Sequence, residues 1–217
     1  VIWKCAVPED RGAGHASIVI SEIVGKKIYV QTTGSGAFAV DAETGKLQWT
    51  FPIEKTTAVI PTPIIKDDLV YIVVGYKRGG ALIQQLPGPG GSVTSKEIFP
   101  LKKELANKHG GVILIDDHLY GCADSGTFII SADFMTGEVI WKNRSDVGGK
   151  GSAAIVAADG HLYVQWENGT FALVKADPAG FEEVSYFQIP DSGDNPCWAH
   201  PVIVDGLLYV RDGDNMF

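Results

Sequence analysis

The chain has 217 residues, 26 of them Gly and 11 Pro, and a formal net charge of −8. That length can bury a substantial core, and the frequent turn signals favour many short strands over helices. The acidic balance argues against a nucleic-acid partner, which calls for a clustered basic face. No apolar run approaches the roughly 18 residues of a membrane span, so no transmembrane segment is expected. No charged-then-apolar leader precedes Val1, which reads as a leader removed or as an internal piece.

In chain order, Trp3 to Asp10 reads as an outermost strand left over from a preceding sheet. The first whole repeat starts at His15–Ile20 and continues through Lys27–Val30, Ala37–Asp41 and Leu47–Phe51. The second starts at Ile60–Ile65 and runs through Leu69–Val74 and Ala81–Leu86. The loop Pro87–Ser92 follows, then Glu97–Phe99 with Phe99 in place of a tryptophan, and a helical turn over Lys102–Asn107. The third runs from Gly110–Ile115 through His118–Tyr120 and Thr127–Asp133 to Trp141. The fourth runs from Ser152–Val156 through His161–Val164 and Thr170–Ala176, then a turn at Asp177–Gly180 one residue shorter than the others, with Tyr186 or Phe187 standing in for tryptophan. A fifth start covers Ala199–Val204 and Leu207–Val210.

One unit organises this pattern, the stretch from Ala39 to Trp49. Asp41 and Thr44 suit a turn whose own N–H groups they can bond. Gly45 suits the left-handed position of a short hairpin, and Trp49 suits a seam between packed sheets. Asp133, Thr136, Gly137 and Trp141 repeat the spacing. Trp3, Trp49 and Trp141 stand 46 and 92 residues apart, and an apolar-Tyr step recurs at Tyr29, Tyr71, Tyr120, Tyr163 and Tyr209. Repeats of this length built of short strands predict an all-β fold, a β-propeller of four-stranded antiparallel blades. The count is about four complete blades plus parts of one or two more in one domain over 1–217. It is either a fragment of a larger ring or a five-bladed ring closed by the termini.

The Ala-x-Asp-x-x-Thr-Gly-x-x-x-Trp unit, with Ser131 for Ala in its second copy, resembles the docking motif of the pyrroloquinoline-quinone-type propeller repeat. Lys108–Ile115, Lys150–Ser152, Glu167–Val174 and Trp198–Val204 are similar to stretches of exported bacterial members, including those labelled polyvinyl-alcohol dehydrogenase-like. The resemblance implies a periplasmic or exported protein. It spans quinone-dependent alcohol dehydrogenases, kinase sensor domains and the non-enzymatic lipoprotein of the outer-membrane β-barrel assembly machinery, so the fold alone does not decide activity.

The enzymatic branch of this resemblance implies a quinone held between a tryptophan and a disulfide of adjacent cysteines, with a calcium bound by Glu and Asn and an Asp as base. Cys5, Cys122 and Cys197 are far apart and form no metal or haem motif, so they read as buried thiols. Trp166-Glu167-Asn168 has calcium-binding residue types, but strand neighbours face opposite ways, and Asn168-Gly169 reads as a hairpin turn. Asp191–Asn195 and Asp212–Asn215 are acidic turns without the spacing of a calcium loop. No catalytic residue, metal ligand or cofactor is therefore assigned.

His15, Pro61, His109, Lys150 and His200 each fall at or just before the start of a repeat's first strand, where a propeller's strands line the central channel. Together with Trp198 and Ser17, the three histidines and the lysine form a candidate rim that binds an anion or a metal. The structural alternative is polar residues filling a wet axis, their imidazoles bonded to backbone carbonyls. The favoured function is a non-catalytic binding or scaffold module of an exported or envelope protein, recognising a protein partner or small ligand. It would act through rim loops or an exposed blade edge. The alternative is part of a quinone-dependent alcohol dehydrogenase carrying pyrroloquinoline quinone and calcium. Oligomeric state is not legible.

Overall fold

A computed structural model describes residues 1–7, 12–54, 56–124, 128–190, 192 and 196–217. The chain divides into two compact units, Val1–Ala106 and Asn107–Phe217.

In the first unit, β1 (Val19–Ile23), β2 (Lys26–Thr33), β3 (Gly36–Asp41) and β4 (Leu47–Pro52) form one antiparallel sheet in that order. A second sheet of the same plan holds β5 (Ile64–Lys66), β6 (Leu69–Val74), β7 (Gly79–Pro87) and β8 (Val93–Lys102). Single 3-10 turns at Pro89–Gly91 and Lys103–Leu105 fall on the expected loop and on the expected helical turn.

In the second unit, β9 (Val112–Ile115), β10 (His118–Cys122), β11 (Phe128–Asp133) and β12 (Val139–Arg144) pair in sequence order. So do β13 (Ala153–Ala158), β14 (His161–Trp166), β15 (Thr170–Lys175) and β16 (Glu183–Gln188). Beyond them lie two short hairpins, β17 (Val202–Val204) with β18 (Leu207–Tyr209), and β19 (Arg211–Asp212) with β20 (Asn215–Met216).

The first two strands of each four-stranded sheet, and β17 with β18, are joined by two-residue hairpins whose leading residue is left-handed: Val24, Asp67, Asp116, Asp159 and Asp205, with φ between 49° and 53°. Asp tolerates that conformation; Val does not.

Alternation places Ile28, Val30, Ala39 and Trp49 of the first sheet against Val70, Ile72, Ala81 and Ile83 of the second. In the second unit, Tyr120, Cys122 and Ile129 of the third sheet pack with Ile155, Leu162, Val164 and Trp166 of the fourth. Phe171, Ile189 and Val210 make a smaller cluster at the last hairpins.

Several expectations need correcting. The first strands begin later than expected, at Val19, Ile64, Val112 and Ala153. The residues ahead of them bond to other segments instead, as His15 N–H does to the Val59 carbonyl and Ile155 N–H to that of Gly110. Val1–Val7 forms no strand, and Thr127 lies outside the described residues. Tyr29 departs from the tyrosine pattern by one position: Tyr71, Tyr120 and Tyr163 lie opposite Leu82, Ser131 and Leu173, whereas in the first sheet Val30 takes that place opposite Ala39 and Tyr29 packs near Trp3, 6.4 Å between ring centres.

Neither Tyr186 nor Phe187 takes the tryptophan position in the fourth sheet. Trp49 and Trp141 lie opposite Ala39 and Ser131, just before a bulge, and the matching residue is Ser185, opposite Leu173. The chain between β15 and β16 is two residues longer than between β3 and β4, not shorter, which brings Ser185 to the seam position and leaves Tyr186 and Phe187 one and two residues beyond it. Cys122 and Cys197 are buried, but Cys5 is half-exposed.

Candidate functional site

The repeated turn is built as its residues suggest. Asp41 Oδ1 accepts from Glu43 N–H at 3.0 Å and Thr44 N–H at 2.9 Å, and Lys26 Nζ lies 3.0 Å from Oδ2. Asp133 Oδ1 accepts from the Thr136 N–H at 2.7 Å and its hydroxyl at 2.8 Å. Gly45 and Gly137 have φ of 71° and 64°.

The turn also receives an indole. Trp3 lies on Gly45 and donates its N–H to the Ala42 carbonyl at 3.1 Å. Trp141 likewise donates to the Asp177 carbonyl of the fourth sheet, 2.9 Å, with Phe181 edge-on at 5.6 Å. The second sheet has the Pro87–Ser92 loop there, and Trp49 donates to the side chain of Gln85 instead, at 3.2 Å. Gln85 in turn donates to Ser21 Oγ at 2.8 Å, all three groups buried. Neither Gln85 nor Ser21 carries any sequence signal of this role.

Of the rim candidates, His109, Trp198 and His200 come together in the second unit. His109 Nε2 lies 3.0 Å from Glu167 Oε1, its ring 5.4 Å from that of Trp198, and His200 Nε2 donates to the His109 carbonyl at 3.1 Å. Lys150 contributes its backbone N–H, to Asn168 Oδ1 at 3.1 Å, while its side chain is exposed. His15 belongs to the first unit, and Ser17 N–H there donates to Thr62 Oγ1 at 3.2 Å.

Glu167, to which the sequence gives no role in this rim, joins the cluster. Three elements meet on it: the segment before β9 through His109, the turn after β14 through Glu167 itself, and the segment before β17 through Cys197 N–H, which donates to the Glu167 carbonyl at 2.9 Å. Close approach requires glycine at 110, where a Cβ would strike the Ala153 carbonyl, and at 151, where it would strike the Glu167 carboxylate.

Chemically, the cluster is a held aromatic rim. Facing a carboxylate, His109 Nε2 carries a proton, and Nδ1 is buried with no hydrogen-bond partner among the described residues. Trp198 is 60% exposed beside it. The thiol of Cys197 is pushed up to about 11 by burial and by the Asp212 carboxylate, and burial pushes that of Cys122 up to about 12. Neither is a thiolate at neutral pH.

These residues do not fit the quinone–calcium site. The three cysteines are free and non-adjacent, Glu167 is engaged by His109, and Asn168 Oδ1 by the Lys150 N–H. Among the described residues, no three His, Cys, Asp or Glu side chains gather to hold a metal. The acidic turn Asp191–Asn195 lies mostly outside those residues, and Asp212–Asn215 is the β19–β20 hairpin.

A family model described as outer membrane protein assembly factor BamB matches residues 1–143. The chain belongs to the BamB family. The crystal structure of BamB from Moraxella catarrhalis matches at a TM-score of 0.62 and 16% identity, covering 97% of this chain and 60% of that one. The chain thus spans about 60% of the length of that relative. The computationally designed Ika4 protein matches at a TM-score of 0.52 and 15% identity, covering 80% of this chain and 97% of its own. No curated protein matches. At such identities the structural likeness speaks for fold alone. With the antiparallel sheets it makes this an all-β propeller of the pyrroloquinoline-quinone-like type.

Proposed function

We propose that the chain is a non-catalytic propeller module of an exported, cell-envelope protein and that it recognises a protein partner. The observation that carries this reading is the match to the family of an outer membrane protein assembly factor over residues 1–143. The rim supports it. Trp198 presents an open indole next to a half-buried His109–Glu167 pair, and a well-supported exposed tryptophan is the usual anchor of a protein interface. The exposed Lys150 adds a positive charge to that rim, and His200 adds a polar ring bonded to the His109 carbonyl. In this reading the module needs neither quinone nor calcium.

Photo-crosslinking from position 198 in intact cells tests the reading. The expected product is a defined envelope protein trapped at 198 and lost in Trp198→Ala with the fold unchanged. Purified protein that binds pyrroloquinoline quinone with calcium and oxidises alcohols through a dye would overturn it. So would a cytoplasmic location on fractionation.

A further inference from the structure

We propose that β16 is an open strand edge that accepts an extended segment of the partner protein by antiparallel strand addition. The proposal rests on the partner-binding reading above but places a contact away from the Trp198 rim.

The fourth strand is an edge in each of the four four-stranded sheets. Such edges present unpaired backbone N–H and C=O groups, and folded proteins blunt them with lysine, proline or short length. β4 ends on Pro52, β8 carries Lys96, Pro100 and Lys102, and β12 carries Lys142 and Arg144. β16, Glu183-Val-Ser-Tyr-Phe-Gln188, has no lysine, arginine, proline or glycine.

β16 also lacks an aromatic at the seam position, although Phe187 stacks on the buried Phe171 ring at 4.9 Å and Gln188 bonds to Thr170 and Asn168. Trp49 and Phe99 tie β4 and β8 down at 5% exposure each, and Trp141 ties β12 through the Asp177 carbonyl. The corresponding residue of β16 is Ser185, exposed. Val184 and Tyr186 on one face are 47% and 61% exposed, and the outer side of the stacked Phe187 ring leaves it 44% exposed on the other, so both faces offer apolar contacts to a strand laid beside them. Alternate apolar pockets plus a backbone ladder is the chemistry of strand addition. The occupant follows from charge. A second copy would bring another net −8, with no cation on β16 to offset it, so a neutral or basic extended segment is favoured.

The test uses a peptide alternating valine and threonine between terminal lysines, and its twin N-methylated on the amides that would enter the ladder. Fluorescence anisotropy follows binding, and hydrogen exchange locates it. The proposal expects saturable binding of the first peptide, new protection over 183–188, and loss of both with the N-methylated twin. Val184→Lys and Tyr186→Lys, at exposed positions, should abolish binding while circular dichroism and melting stay unchanged. Equal binding of the N-methylated peptide, protection on β4, β8 or β12, or unimpaired binding by both lysine variants would overturn it. Self-association through 183–188 with no peptide binding would overturn the choice of occupant. In each case a crosslink at 198 would leave the partner-binding reading standing.

Discussion

Trp49 donates its indole N–H to Gln85, 36 residues away on the next sheet, and not to a turn carbonyl as Trp3 and Trp141 do. The second sheet has replaced the turn that would supply that carbonyl, and a buried amide one strand earlier takes over. Gln85 then satisfies its own N–H on Ser21. Trp49→Ala should cost roughly 3–5 kcal/mol by leaving a cavity in the seam. Gln85→Leu should cost about 1–3 kcal/mol by orphaning two buried groups. Urea melts of both and of the double variant should show strong coupling; strictly additive losses would contradict the bridge.

Gly45 is held by its neighbour as well as by its φ of 71°. A Cβ there would strike the Trp3 ring, so Gly45→Ala must both strain the backbone and dislodge the indole. The expected loss exceeds about 1 kcal/mol, with a shift in tryptophan emission as Trp3 leaves Tyr29. An unchanged spectrum would mean that Trp3 does not rest on this turn.

Asp41 makes the turn acid-sensitive. The Thr44 N–H, then Lys26, hold its carboxyl down from 3.8 to about 2. A depressed pKa contributes stability that is full above the ordinary carboxylate value and is lost as pH falls from about 4 toward 2. Asp41→Asn should therefore be less stable than the parent at neutral pH, with the gap narrowing across that window. Thermal melts at successive pH values would show it, and a constant gap would refute the linkage.

Val24 is a β-branched residue with φ of 52°, 84% exposed, where the four matching hairpins have Asp67, Asp116, Asp159 and Asp205. The left-handed conformation costs such a side chain roughly 1–2 kcal/mol, and Asn tolerates it. Val24→Asn should raise the melting temperature, since no buried surface is lost. A fall would show that the side chain contributes a contact.

On the rim, His109→Ala removes the partner of Glu167 and the ring beside Trp198 in one step. Hydrogen exchange should speed up at Cys197, whose N–H rests on the Glu167 carbonyl. Glu167→Gln, which keeps an acceptor for the imidazole N–H, should disturb it less than Glu167→Ala.

The residues alone determined what is local. Asp41, Thr44 and Gly45 complete a turn within five positions, and the same types at 133, 136 and 137 do so again, so the repeat and its strands are legible from spacing. Bonding between neighbours in sequence needs no knowledge of the rest of the chain. Facing and partner were decided only by the tertiary structure. Two extra residues before β16 put Ser185 where an aromatic was expected, because a strand's sides alternate and any change in register changes which residue meets the seam. His109 found Glu167 58 positions away, a pairing that exists only once separate sheets are stacked. Short-range hydrogen bonds are written into adjacent residues; contacts across sheets depend on how rigid sheets settle, which no spacing records.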